Sequence, residues 1–139
     1  MAIGTVEAAD AHVNGAVAGW PRILLRLEGG AALAAAVAAY AAGGWNWWLF
    51  AGLFLAPDIG FAGFLAGRRV GAAVYNALHS YVPPIGLGLG GMLAGAPAAL
   101  PVAVIWIAHI GFDRLLGYGL KYPSGFADTH LGTIGRRRG

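Results

Sequence analysis

Cysteine is absent from the 139 residues. That removes disulfides, thiolate zinc sites, iron–sulfur clusters and a cysteine nucleophile. Charge is scarce as well: 11% of the residues are Asp, Glu, Lys or Arg, against about 25% in an average soluble domain. No Lys or Arg precedes Arg22, so the first 21 residues have no basic n-region of a signal peptide. No G-x-S-x-G motif is present, which leaves acyl-serine chemistry without its nucleophile elbow. What the chain does have is apolar bulk: 58% hydrophobic residues, 24 glycines and long Ala-rich runs. Mean hydropathy is +0.66. This composition excludes a soluble enzyme, a nucleic-acid binder and a disordered chain. It specifies an all-α integral membrane protein of one domain, with small residues that let helices approach closely.

A membrane span takes about 20 apolar residues, and the chain offers four. Residues 1–21 form a tail carrying Glu7, Asp10, His12 and Asn14. The first helix runs from Arg22 to Ala42 and stops at Gly43-Gly44. The second runs from Trp45 to Ala66 through Pro57-Asp58, and Gly67-Arg68-Arg69 turns the chain. The third runs from Val70 to Leu93 and is broken or kinked at Pro83-Pro84. The fourth runs from Ala98 to Lys121, with Pro101 in its first turn. Residues 22–121 thus form an up-and-down four-helix bundle, and 122–139 a second tail. With this map all nine basic residues fall on one side. The positive-inside rule then places both termini in the cytoplasm, as expected of a multi-pass protein of the bacterial inner membrane. Trp45, Trp47 and Trp48 mark the outer interface; Trp20, Tyr118 and Tyr122 mark the inner one. The partners implied are membrane lipids, whose anionic head groups suit the basic inner face and the Arg136-Arg137-Arg138 triplet. No nucleic acid is needed to explain the +3 charge.

Ionisable groups inside apolar spans are costly and ask for partners or a role. They are Arg26, Glu28, Asp58, His79, His109, Asp113 and Arg114, joined by the neutral Asn76. Counted from the cytoplasmic end, Glu28, Asp58, His79 and Asp113 lie roughly six to ten residues in, about 9–15 Å. His109 and Asp113 are spaced i, i+4, and Asn76 and His79 i, i+3, so each pair shares a helix face. Pro57 and Pro83 free backbone carbonyls beside Asp58 and His79, and irregular backbone at this depth is buried in protein or lines a wet cavity. The expectation is a polar cavity open to the cytoplasm, walled by helices two, three and four.

Three uses of this cluster compete. One is structural or partner-binding: carboxylates paired with Arg26 and Arg114, histidines bonded to backbone or Asn76. The second is one divalent metal such as zinc, held by Asp58, His79, His109 and Asp113. It would serve a hydrolase acting on a lipid or amphiphile at the inner leaflet, with Asp58 or Asp113 as the catalytic carboxylate. Arg26, Glu28, Asn76, Arg114 and His130 would line the cavity or hold substrate, and the tail with Asp128 and His130 would cap it. The third is a proton or ion pathway. Gly86, Gly88 and Gly91 spell G-x-G-x-x-G, but no strand precedes them and no acidic residue follows, so dinucleotide binding is rejected. Gly63/Gly67 and Gly91/Gly95 are GxxxG pairs, read as helix contacts, with a homo-oligomer through them the other use.

The order of these motifs resembles a known bacterial family. Arg26-Leu27-Glu28, Leu55-Ala56-Pro57-Asp58, Val74-Tyr75-Asn76 with His79, Ala108-His109-Ile110-Gly111-Phe112-Asp113-Arg114 and Thr129-His130-Leu131-Gly132 are similar to the family catalogued as domain of unknown function 4260. The resemblance implies a small bacterial integral membrane protein and no particular activity. In order alone, Pro57-Asp58, His79-Ser80, His109 and Asp113 also resemble LexA-regulated membrane-bound metal-dependent hydrolases. Ile59-Gly60, Ala77 and Leu78 stand where that family has further ligands, so the resemblance implies at most a single metal.

Overall fold

The structure is a computed structural model describing residues 15–135. His12, the other polar residues of the first tail and the C-terminal arginine triplet lie outside the described residues. The fold is mostly helical. Helix α1 spans Gly19–Ala42, α2 Trp47–Leu53, a 3-10 helix Ala56–Ala66, α3 Arg68–Leu78, α4 Val82–Leu93 and α5 Ala99–Leu116. A two-stranded antiparallel hairpin, β1 Asp128–Thr129 and β2 Gly132–Thr133, follows. Three segments are long and apolar enough to cross a membrane: Gly19–Ala42, Trp47–Ala66 and Ala99–Leu116. Large apolar side chains such as Leu65, Leu93 and Ile59 stand outward, as they do where lipid is the solvent.

Helix α5 is the central element. Ala103, Ile105, Ala108, His109, Ile110, Gly111, Asp113 and Arg114 are all buried on it, and α1, α4 and the 3-10 helix pack around it. Its contact with α1 is made backbone to backbone. A Cβ on Gly29 would stand 2.9 Å from the Gly111 carbonyl, and one on Gly111 would stand 2.6 Å from the Gly29 carbonyl. At the other end of α1, buried Tyr40 packs against Trp45, Trp47 and Phe50. Its hydroxyl donates to the Asn46 carbonyl at 2.7 Å.

Two of the expected spans are not continuous α-helix, and proline chemistry explains both. Pro57 has no N–H for the carbonyl one turn earlier, and the Asp58 N–H bonds the Leu55 carbonyl at 3.1 Å, an i−3 bond. The chain continues as 3-10 helix for 11 residues, at a rise of about 2.0 Å per residue. Gly60 and Gly63 let it lie against α3, where added Cβ atoms would meet the Tyr75 and Gly71 Cα atoms at 3.3 Å. The third span is two helices. Pro83 and Pro84 do not kink a helix interior; they sit in the first turn of α4, where a missing N–H costs nothing. The chain breaks at His79–Tyr81 instead.

The GxxxG pairs serve within the chain. Gly63 meets Val74 and Gly91 meets Ala99, while Gly67 and Gly95 take positive φ in turns. Helix α5 ends at Leu116, earlier than expected, because Gly117 adopts φ +91°. Its N–H bonds the Arg114 carbonyl, and the Tyr118 N–H bonds the Asp113 carbonyl, a Schellman-type stop. The segment after it is no loose tail. Asn76 pairs with the Lys121 backbone in both directions, donating to the carbonyl at 2.8 Å and accepting from the N–H at 2.6 Å. Replacing Asn76 with leucine should release residues 118–135, read as faster protease cleavage there with the α-helical content unchanged.

Candidate metal centre

Four side chains from three segments meet in one place. Asp58 comes from the first turn of the 3-10 helix, His79 from the break after α3, and His109 and Asp113 from one face of α5. Pro57 directly precedes Asp58, and Pro83, four residues after His79, has no N–H for the His79 carbonyl, so local backbone chemistry sets where the groups emerge. One donor atom from each lies within 4.8 Å of every other. Five of the six separations are tighter. His79 Nε2 is 3.3 Å from Asp58 Oδ1, 3.5 Å from Asp113 Oδ2 and 3.2 Å from His109 Nε2. His109 Nε2 is 3.3 Å from Asp58 Oδ1 and 3.4 Å from Asp113 Oδ2. A tetrahedral site with bonds of about 2.0–2.1 Å has donor–donor edges of about 3.3–3.4 Å. The set is therefore able to hold a metal ion. His79, His109 and Asp113 are buried, whereas the Asp58 side chain is 36% exposed and forms the open edge.

The surrounding bonds fix which atoms face inward. His79 Nδ1 lies 2.9 Å from the Tyr75 carbonyl, which accepts only. Nδ1 therefore carries the hydrogen, and in the neutral ring Nε2 presents a lone pair to the cluster. The Tyr75 ring stacks on His79 at 3.8 Å between centroids. His109 is held by the edge of Phe54; its buried Nδ1 has no hydrogen-bond partner among the described residues.

The other polar residues expected at the site divide differently. Arg114 does not neutralise Asp113. Its guanidinium donates to the His79 carbonyl at 2.7 Å and to the Tyr118 carbonyl at 2.9 Å. Pro83 cannot bond the first of these, so Arg114 replaces the missing helix donor. Arg26 donates from Nε to the Leu115 carbonyl at 2.9 Å and covers the end of α5. Glu28 is exposed on α1 and stands apart from the cluster. Asn76 holds the C-terminal segment. Three residues that the sequence did not single out for the site belong to its surroundings: Tyr75, Lys121 and Trp106. Lys121 is buried, its ammonium 4.0 Å from the Phe126 ring centroid and 4.9 Å from that of Tyr75. Burial pushes that ammonium below its usual range, with Asp113 opposing. The indole of Trp106 donates to the Leu78 carbonyl at 2.6 Å. Of these, only Tyr75 had a signal available, its i, i+4 spacing to His79.

His130 belongs to the C-terminal fold. Its Nδ1 accepts from the Leu120 N–H at 2.8 Å, and its own N–H donates to the Leu120 carbonyl. Accepting requires an unprotonated Nδ1. Burial, reinforced by the Arg114 charge, holds this imidazole below its usual range. A depressed histidine pKa means that the unfolded segment binds the proton better, so docking is complete above about pH 6.5 and weakens as pH falls below it. Protection factors of residues 118–135 against hydrogen exchange, taken relative to the slower intrinsic exchange at lower pH, should fall between about pH 6.5 and 5. In a His130→Gln variant the fall should be smaller.

No curated protein and no solved structure matches the chain. One family does, over residues 22–134, a range that holds all four clustered side chains and the segment folded back beneath them. By that match, which spans well over half of its length, the chain belongs to the family described as Domain of unknown function (DUF4260).

Proposed function

We propose that Asp58, His79, His109 and Asp113 bind one divalent metal such as zinc, and that the protein is a metal-dependent hydrolase of the membrane. One observation carries this reading: unprotonated acceptors converge. With its hydrogen on Nδ1, neutral His79 turns a lone pair towards two carboxylate oxygens and a second imidazole nitrogen within 3.5 Å. Such acceptors repel unless a cation lies among them. A proton on one ring serves one or two of these contacts; a metal serves all four. Arg26 and Arg114 bond backbone carbonyls, which argues against the carboxylate–arginine pairing that a purely structural network would use.

The metal would lower the pKa of a bound water towards about 7. Asp58, the most exposed of the four, would be the carboxylate that gives way to the water and takes its proton. The water oxygen would then add to the carbonyl or phosphoryl centre, the bond to the leaving oxygen would break, and the proton would pass to that oxygen. We read the chain as four-spanning, with α3 and α4 as half-helices of one span, and with both ends in the cytoplasm. The cluster then lies in the inner half of the bilayer.

Elemental analysis of detergent-purified protein tests the metal. One equivalent of zinc or another divalent ion is expected in the wild type, and less than about a tenth of that in a His79→Ala, His109→Ala double variant. Asp58→Asn should weaken metal binding, because it removes one of the four ligands, and should lose hydrolysis. Folded wild type that takes up no metal after incubation with zinc, manganese or ferrous iron overturns the reading.

A further inference from the structure

A cavity of about 210 Å³ opens beside the cluster. Its walls include Leu53, Pro57, Leu78, Val102, Ile105 and Trp106. Pro57 and Leu78 are the chain neighbours of Asp58 and His79, and Ile105 lies one turn before His109. The same three segments that present the metal-binding atoms thus build the cavity wall. Its lining is apolar: the one side-chain N–H on it, the Trp106 indole, is already bonded to the Leu78 carbonyl. A dry apolar cavity of about 150 Å³ is enough to bind benzene. Ile59, which also lines this cavity, is 75% exposed, so the mouth faces the surroundings of the helices.

We infer that this cavity holds the alkyl chain of an amphiphile whose polar group is placed at the metal cluster. The inference rests on the hydrolase reading and deepens it. The chain adjacency of Pro57 and Leu78 on the cavity wall to Asp58 and His79 selects the occupant. A wholly apolar molecule gains nothing from the adjoining carboxylates and imidazoles, and a polar one gains nothing from the cavity. A molecule with a reactive group at one end and a chain at the other satisfies both. It enters sideways from the bilayer, past Ile59 and the exposed edge of Asp58.

Alkyl hydroxamates test this, because the hydroxamate chelates a divalent metal while the chain length is varied. Zinc content is measured first, then binding of acetohydroxamate and octanohydroxamate in detergent micelles. Each methylene that enters a dry apolar cavity is worth about fourfold, so the octyl-length probe should bind at least tenfold more tightly than the methyl one. Val102→Phe fills the cavity two turns from His109; Ala56 also lines the cavity, and Ala56→Leu fills it from that wall should the first variant fold poorly. Either should abolish the chain-length preference and leave zinc content and acetohydroxamate affinity unchanged. Micelle partitioning is the same for wild type and variants and cannot mimic this difference. A preference that survives filling overturns the inference. So does stoichiometric zinc with equal affinity for both probes, which leaves the metal reading intact. Folded protein that takes up no zinc, manganese or ferrous iron overturns both.

Discussion

Replacing Gly111 or Gly29 with alanine should cost most of the protein's stability, although alanine is the better helix former. At Gly29 and Gly111 the α1 and α5 backbones touch directly, with the Arg114 Cβ beside them. A methyl group on Gly111 would stand 2.6 Å from the Gly29 carbonyl oxygen and 2.7 Å from the Leu33 nitrogen. Those atoms belong to helix backbone and cannot rotate away, so the helices must separate. Overpacking of a core typically costs about 1–3 kcal/mol, and more where backbone must move; roughly 3–5 kcal/mol is expected here. Gly52, Gly86 and Gly90 are the controls, since an added Cβ meets nothing within 4 Å at any of them. Alanine there should be neutral or gain about 0.5–1 kcal/mol from helix propensity. Thermal unfolding in detergent, with the monodisperse fraction on size exclusion, checks both sets. A Gly111→Ala protein as stable as the Gly86→Ala protein would refute the close contact.

The same contact shows why some of the site was legible in the sequence and some was not. Depth along a helix follows from residue number, and the shared depth of Glu28, Asp58, His79 and Asp113, with His109 one turn from Asp113, brought them under suspicion together. Direction around the helix does not follow so easily. One residue turns the side chain by about 100°. Gly29 is buried against α5, so Glu28, one residue earlier, is exposed though its depth is right. On α5 the i, i+4 spacing of His109 and Asp113 fixed both coordinates. Proline was legible for a different reason: a missing N–H at Pro57 or Pro83 necessarily frees a carbonyl. The sequence could not say what satisfies it. Nor could it show that the second span continues as a 3-10 helix, since that depends on Gly60 and Gly63 meeting α3. The C-terminal segment was the least legible. Its anchors, Asn76 to Lys121 and His130 to Leu120, are backbone contacts that impose no pattern on residue type.

Arg114 is where this hidden backbone chemistry meets the candidate metal centre, and its removal should have the second large effect. Arg114→Met deletes a buried bond to the His79 carbonyl and a part-buried one to the Tyr118 carbonyl. Bonds to a charged donor contribute about 1.5–3 kcal/mol each, and a deserted buried carbonyl carries its own desolvation cost. A loss of roughly 2–5 kcal/mol follows, at the lower end if the freed carbonyls find other partners in the membrane. The consequence for metal is separate. His79 is the last residue before the chain turns into α4, and its carbonyl is held by the Arg114 fork while its ring bonds the Tyr75 carbonyl. With the fork gone, one of those two restraints on the ligand disappears. Removing an outer partner of a ligand commonly costs 10–100-fold in metal affinity, and about that loss is expected in a chelator competition. Arg114→Lys should recover little of it, because one ammonium lacks the planar fork that reaches both carbonyls. Asp113→Asn supplies the contrast: it removes a ligand and leaves the fork, so metal should be lost with a smaller change in apo-protein stability. If Arg114→Met lowered stability but bound zinc as tightly as the wild type, the guanidinium would only hold the helix break together and would not position His79.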